Sequence, residues 1–206
     1  MRELLLIRHA LTEPLEKHLY YGSTDVPLSK NGVLEANELK EKHADFFEKR
    51  KAVKPKYFTS GKKRANETID ILFESPSYKI IHDFREIDFG IYEMCHYEDI
   101  KDDPDFQKYI GENFETNVPK GGESRVQMME RMEAAFEEFF DDFWNDDETN
   151  THIVVSHAGT IYTIMNLLFP DEDKDIYEWT PKPGYGYKIV FEGTKDNHKK
   201  SYCNLY

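Results

Sequence analysis

Cysteine is scarce in this chain, and positive charge is in short supply. Two cysteines, Cys95 and Cys203, occur among 206 residues. That is too few for a disulfide scaffold, and their spacing matches no metal motif, so they read as free thiols in a reducing compartment. The 27 Lys and Arg residues face 40 Asp and Glu, a net charge of −13. Such a surface repels nucleic acid and anionic membranes over most of its area, so neither is an expected partner. Long apolar runs are also lacking. The opening MRELLLIRHA is apolar only from Leu4 to Ile7 before a charge. This is too short for a signal-peptide core, no run approaches a membrane span, and the expected location is the cytoplasm. His18, His43, His82, His96, His152 and His198 show no metal-ligand spacing, so neither a metal nor another cofactor is expected.

What remains is enough for a folded core. The length suits a single domain over residues 1–206, monomeric or homodimeric, and 39% apolar with 14% aromatic residues is no disordered composition. Leu4–Ile7 and Ile153–Val155 are short aliphatic runs, as expected of strands buried on both faces of a parallel sheet. Each leads into a histidine followed by small residues, His9-Ala10 and His157-Ala158-Gly159. Ligands bind at the carboxyl ends of strands in open α/β sheets, so the two histidines can meet there.

Between them helices alternate with strands. Ser29 caps a predicted helix to about Arg50, with Val33, Ala36, Leu39, His43, Phe46 and Phe47 along its inner face. Lys56–Thr59 reads as a strand, Lys62–Phe73 as a helix, and Tyr78–Ile81 as another strand. A long helix is predicted from Glu123 to Trp144; its Met and Phe residues recur at spacings of three and four and read as core. Thr160–Phe169 is a predicted helix and Tyr187–Phe191 a predicted last strand. The alternation predicts a three-layer α/β/α domain with a mostly parallel sheet. Residues 93–120 break the pattern, with eight acids, three lysines and no arginine. They read as a lid-like insertion, since long loops in compact domains are functional or mobile.

The chemistry centres on Arg8-His9. A neutral imidazole held in one tautomer can attack phosphorus, and an adjacent guanidinium can grip phosphoryl oxygens while disfavouring a second positive charge on the ring. The setting makes this pair specific. Arg8-His9-Ala10-Leu11-Thr12 follows a strand and resembles the R-H-G-x-S/T opening of the histidine phosphatase superfamily, the phosphoglycerate-mutase-like family. Tyr21–Gly32 resembles its G-x-x-D-x-P-L-[ST]-x-x-G segment. Ser60–Thr68 is similar to S-x-x-x-R-A-x-x-T, and Glu86–Glu93 to E-x-x-F/W-G-x-W/Y-E. Pro119–Ser124 is similar to P-x-G-E-S with one residue inserted, and Val155–Gly159 to V-S-H-G-G. The six segments keep the family's order and span residues 4 to 159. The chain looks most like the bacterial α-ribazole-phosphatase-like branch.

The resemblance implies roles. His9 becomes phosphorylated. Arg8, Arg64 and His157 hold the phosphoryl group and its transition-state charge. Glu86 protonates the leaving alkoxide and then takes a proton from water. Thr12, Tyr21, Gly22 and the Ala158 amide add substrate contacts. Phosphoryl transfer asks mainly for positioning and charge stabilisation, which these residue types supply without a metal. The implied activity is hydrolysis of a small phosphomonoester. A phosphoglycerate mutase is the alternative; it needs further cations after the glutamate segment, where this chain has acids. A phosphate-binding module without turnover is a third possibility, against which stands the retention of all five reacting residues. Two positions depart from the family, Ala10 and Ala158 in place of glycine, and would distort the site if either backbone required positive φ. Leu15 departs as well, where many mutase-type relatives carry asparagine. Expected pocket walls are residues 12–21, the insertion and the residues after His157, with Tyr20, Tyr21, Tyr92, Tyr97 and Tyr162 available to stack on a ring.

Overall fold

The alternation within one strand sets up the layers. In the computed structural model, which describes residues 1–206, strand β1 (Arg2–Arg8) is central, and Leu4 through Ile7 are fully buried. Leu4 and Leu6 point to one face, where Phe136, Phe139, Ile161 and Ile164 meet them. Leu5 and Ile7 point to the other, against Leu39, Phe47, Ile69 and Leu72. A strand with period-two side chains and helices on both faces buries every residue, which explains the continuous apolar run.

After β1 the chain forms α1 (Glu13–Glu16), α2 (Lys30–Lys42), α3 (Ala44–Ala52), β2 (Lys56–Thr59), α4 (Lys63–Phe73) and β3 (Tyr78–Ile80). Residues 93–120 carry α5 (Tyr97–Ile100) and α6 (Pro104–Ile110). Then come α7 (Arg125–Trp144), β4 (Thr151–Ser156), α8 (Ala158–Leu168), α9 (Ile176–Trp179), β5 (Gly186–Thr194) and β6 (Asn197–Asn204). The sheet order is β3-β2-β4-β1-β5-β6. Strands β1–β4 are mutually parallel, β5 runs antiparallel to β1, and β6 pairs antiparallel with β5. The expected three-layer α/β/α architecture is therefore present, with a C-terminal hairpin completing a mixed sheet. No helix is long and apolar enough to cross a membrane.

Register places the site. Arg8 pairs with Ser156, and Thr59 with Val155, so β1, β2 and β4 end side by side. His9, Ser60 and His157 are the residues that follow those ends.

The helix predicted to run to Arg50 is broken at His43, whose φ of −115° and ψ of 31° are not helical. The His43 ring stacks on Tyr206 with centroids 4.7 Å apart, and the turn brings Phe47 into the core. Val33, expected on the inner face, is exposed. Strand β6 was not predicted; its residues alternate poorly and only Leu205 beyond it is fully buried. The insertion has its own small core of Tyr92, Phe106 and Tyr109, against which Tyr20 and Phe89 pack. Helix α7 starts two residues later than expected, with a capping box between Ser124 and Gln127.

Candidate active site

His9 opens the site. It is buried, and its Nδ1 lies 2.7 Å from its neighbour's carbonyl, Ala10 O. Only a protonated Nδ1 can donate to that oxygen, which fixes the tautomer and leaves the Nε2 lone pair available. Burial, then the charge of Arg64, holds the His9 ring well below the ordinary histidine range, with Arg8 adding to the effect. The ring is neutral at physiological pH, as a nitrogen nucleophile must be.

His157 faces His9, ring centroids 5.2 Å apart. Arg64 Nε donates to its Nδ1 at 3.3 Å, and Nε2 lies 2.7 Å from Ser60 Oγ. Burial and the Arg64 charge hold this ring neutral as well. With Nδ1 accepting, the proton resides on Nε2 and points to the serine.

Arg64 has 0% exposure. It projects from the first turn of α4, donates to the carbonyls of Thr24 (2.8 Å) and Gly22 (2.6 Å), and lies over the Tyr21 ring at 5.0 Å. Arg8 donates to Pro181 O at 3.0 Å, while its Nε is buried and unpartnered. Neither guanidinium forms an ion pair with a carboxylate; their direct partners are backbone carbonyls and, for Arg64, the His157 ring nitrogen and the Tyr21 face. Positive charge is thus concentrated locally within a chain of net charge −13.

The loop that holds Arg64 is itself held from the other side. Glu93 accepts from the amides of Gly22, Ser23, Thr24 and Phe89, and from the Thr24 hydroxyl. On the same three residues, the Gly22 and Thr24 carbonyls take Arg64, and the Ser23 carbonyl takes Lys62 Nζ. Two successive peptide groups, 22–23 and 23–24, therefore run from the Glu93 carboxylate to a cation each, Arg64 and Lys62. Burial works against charge on Glu93, but the donated hydrogen bonds outweigh it and hold its carboxyl below the usual range.

Glu86 is half-buried and lines the same cavity. Its carboxylate accepts from the amides of Ile87 (3.0 Å) and Gly159 (3.1 Å). A Cβ on Gly159 would come within 2.3 Å of Glu86 Oε1, so glycine is what allows the approach. The two alanine departures are accommodated: neither Ala10 nor Ala158 has positive φ. Ala10 packs its methyl against Leu28 and Ala36, and Ala158 opens α8 at the cavity wall.

The predicted residues Arg8, His9, Tyr21, Arg64, Glu86 and Ala158 line one cavity of about 950 Å³, with His157 buried behind them. Thr12 and Gly22 do not line it. Thr12 donates to the Tyr21 hydroxyl at 2.7 Å and so fixes that ring; Gly22 offers its carbonyl to Arg64. Tyr20 and Tyr162 reach the cavity, whereas Tyr92 is buried in the insertion's core and Tyr97 sits at its edge on Phe106. His18 and Leu15 do not reach it. Met128 and Met129, read as pure core, line the cavity too, because α7 passes beneath it.

The sequence assigned no role to Ser60 and Glu93, although both stand in the family-like segments, nor to Arg125 and the 175–181 segment. Ser60 carried a usable signal, since it follows a strand end as both histidines do. The 175–181 segment carried none: nothing in its composition foretells that the Pro181 carbonyl binds Arg8 or that Ile176 lines the cavity.

Comparison with known proteins identifies the family and the fold. Residues 4–200 match the histidine phosphatase superfamily (branch 1). The chain is 30% identical over 166 residues to phosphoserine phosphatase 1 of Hydrogenobacter thermophilus, covering 77% of this chain and 72% of that one. Among solved structures, the fold resembles an Escherichia coli K-12 protein named a "putative alpha-ribazole-5'-P phosphatase" (TM-score 0.78, 21% identity, 99% and 96% of the two chains). It also resembles a phosphoglycerate mutase from Thermus thermophilus (TM-score 0.65, 24% identity, 90% and 91%).

Proposed function

Because the chain belongs to the histidine phosphatase superfamily (branch 1), we propose that it hydrolyses a small phosphomonoester through a phosphohistidine at His9. The observation that carries this reading is the His9 ring: buried, neutral, with Nδ1 tied to the Ala10 carbonyl and two carboxylate-free arginines beside it.

In the first step the Nε2 lone pair attacks phosphorus, forming the P–N bond as the P–O ester bond breaks. Arg8 and Arg64 neutralise charge on the phosphoryl oxygens, and His157, whose protonated form the bound anion favours, adds to them. Arg64 keeps its bonds to Gly22 and Thr24 while its remaining in-plane N–H groups are directed to the phosphate. Glu86 gives its proton to the departing alkoxide. In the second step the Glu86 carboxylate takes a proton from water as the water oxygen attacks phosphorus. The P–N bond breaks, and His9 is restored with inorganic phosphate released. The guanidinium groups supply the positive charge, so a chelator is expected to leave activity intact.

Hydrolysis is favoured over mutase chemistry by the outer cavity. Its one cation, Arg125, is offset by Glu115 and Asp175, a poor receptor for a second phosphate. The test is p-nitrophenyl phosphate hydrolysis combined with rapid acid-free quench and detection of acid-labile, base-stable phosphoprotein. Wild type is expected to show both signals and His9→Ala neither. Turnover that persists in His9→Ala would remove the phosphohistidine from the scheme.

A further inference from the structure

Beyond the reacting groups the cavity is much larger than a phosphate and a short alcohol require. Its approximately 950 Å³ extend past Glu86 to a wall built from separate segments. Leu19, Phe89, Val126, Met129, Tyr162 and Ile176 form that wall, and each is only half-buried. These side chains present apolar area to water in a place where a bound molecule would cover it. Large apolar surface in a concave site is the recognised signature of a ligand pocket.

Charge is segregated along the cavity. Arg8 and Arg64 lie at the base, beside His9. The rim holds Arg125, whose guanidinium lies over the Phe114 ring at 4.9 Å, together with the carboxylates of Glu115 and Asp175. Asp175 is fixed as the cap of α9, its Oδ1 accepting from the amides of Tyr177 and Glu178. A second anion on the substrate would meet a rim with more carboxylates than cations. A zwitterionic amino-acid portion would also have to give up its hydration against the apolar wall.

We propose that this chain selects phosphomonoesters whose alcohol portion is uncharged, bulky and ring-bearing, and that Met129 and Tyr162 determine that specificity. The inference rests on the hydrolase reading for the orientation of the phosphate at His9. It differs from what the name of the Hydrogenobacter relative would suggest, because phosphoserine leaves the wall uncovered. Tyr162 offers a ring for edge or offset stacking, and Met129 an adaptable apolar contact.

Calorimetric binding of two non-hydrolysable phosphonates tests it on wild type, Met129→Asp and Tyr162→Ser. The ligands are 1-naphthylmethylphosphonate and L-2-amino-4-phosphonobutanoate, which share the phosphorus end and differ in the alcohol-mimicking end. The naphthyl ligand is expected to bind wild type at least about tenfold more tightly, from apolar area covered. Met129→Asp should erase most of that advantage and Tyr162→Ser part of it, with the amino-acid ligand changing less than about twofold, at thermal midpoints that show both variants folded. Equal or tighter binding of the amino-acid phosphonate overturns the proposal. So does a naphthyl preference untouched by both substitutions, or failure of either ligand to bind. Binding needs no turnover, so failure of the hydrolase reading would appear separately, as absent p-nitrophenyl phosphate hydrolysis with the ligand preference intact.

Discussion

The two ends of the sheet use the same residue types and settle their charges in opposite ways. At the amino end of the strands, Arg2 donates to the carbonyls of Trp144, Asp146 and Thr149 and lies over the Phe143 and Trp144 rings. Beside it His152 Nε2 meets Asp146 Oδ2 at 2.7 Å, and Lys56 binds the same carboxylate at 2.8 Å. Burial opposes charge on Asp146, yet Lys56, His152 and two amides outweigh it and hold its carboxyl far below the usual range. At the carboxyl end, Arg8 and Arg64 have no such partner, and His9 keeps a free lone pair. One end has its carboxylate built in. The other is left with surplus positive charge that an anion can complete, which costs stability and supplies affinity. Arg and His at a strand end therefore mean little by themselves; whether a carboxylate closes the set decides between structure and chemistry.

Substitutions at the two ends should separate along those lines. His9→Ala and Arg64→Met are expected to lower kcat/KM by at least ~10³-fold, about 4 kcal/mol of barrier. Neither should lower the thermal midpoint by more than a few degrees, and losing a buried charge at Arg64 can raise it. Asp146→Ala is expected to do the reverse. It leaves the buried His152 Nε2–H and the Glu148 and Thr149 amides without their acceptor, while Lys56 keeps Glu148, and should cost about 1–3 kcal/mol, the usual loss when a buried donor is left unsatisfied. Its kcat should stay within about twofold of wild type at a temperature where the variant is folded. Chemical denaturation beside p-nitrophenyl phosphate kinetics reads both. A large fall in kcat for folded Asp146→Ala would erase the distinction between the ends.

Glu93 bridges the two behaviours, since it is a closed structural carboxylate that acts on the open end through two peptide groups. Glu93→Gln keeps the size but removes the charge and turns an acceptor into a donor facing the Gly22–Thr24 amides. Hydrogen bonds to charged groups contribute about 1.5–3 kcal/mol each, and only part of that is lost on relaxation. We expect ~10-fold lower kcat/KM, carried mainly by KM, because the carbonyls that hold Arg64 lose their anchor. Unchanged KM with a lowered midpoint would make Glu93 structural alone. Gly159→Ala should act on kcat in preference to KM by displacing Glu86, with a loss within the ~10²–10⁴-fold range of a general acid.

These contrasts also explain what could be read from the chain in advance. The two histidine-bearing strand ends were legible because a buried parallel strand writes a continuous apolar run, and the site residues sit immediately after it. Arg64, Glu86 and the segment order were legible through resemblance to a family, not through periodicity. Closure was not legible. Nothing in the sequence says that Asp146 folds back six residues to meet His152, or that Glu93 reaches across 71 residues to Gly22. The break at His43 escaped for a similar reason: local propensity favours one helix, and stacking on Tyr206 at the far end of the chain overrides it. The methionines of α7 read as core because a period of 3.6 identifies an inward face without saying whether a cavity lies there.

The smallest effect is a pH dependence that distinguishes the ends by sign. His9, His157 and His152 are all held below the ordinary histidine range, burial being the largest cause for each. Unfolded histidine takes up a proton near pH 6.5, whereas these rings stay neutral in the fold. The unfolded state then binds more protons below about pH 6.5, so stability falls as pH falls, by up to about 1.4 kcal/mol per histidine per pH unit, until each folded value is reached. Sulfate, a dianion throughout this range, should reverse the loss at the carboxyl end alone. Bound beside Arg8 and Arg64, it offsets their charge and favours protonated His9 and His157, but it cannot reach His152. Stabilisation by sulfate is therefore expected to be larger at about pH 5.5 than at about pH 7.5, by a few degrees of thermal midpoint at this chain length. His157→Asn should remove most of that increment, while His152→Asn, at the closed end, should keep it. An increment that survives His157→Asn, or that disappears in His152→Asn, would place the anion-linked proton somewhere other than the paired histidines.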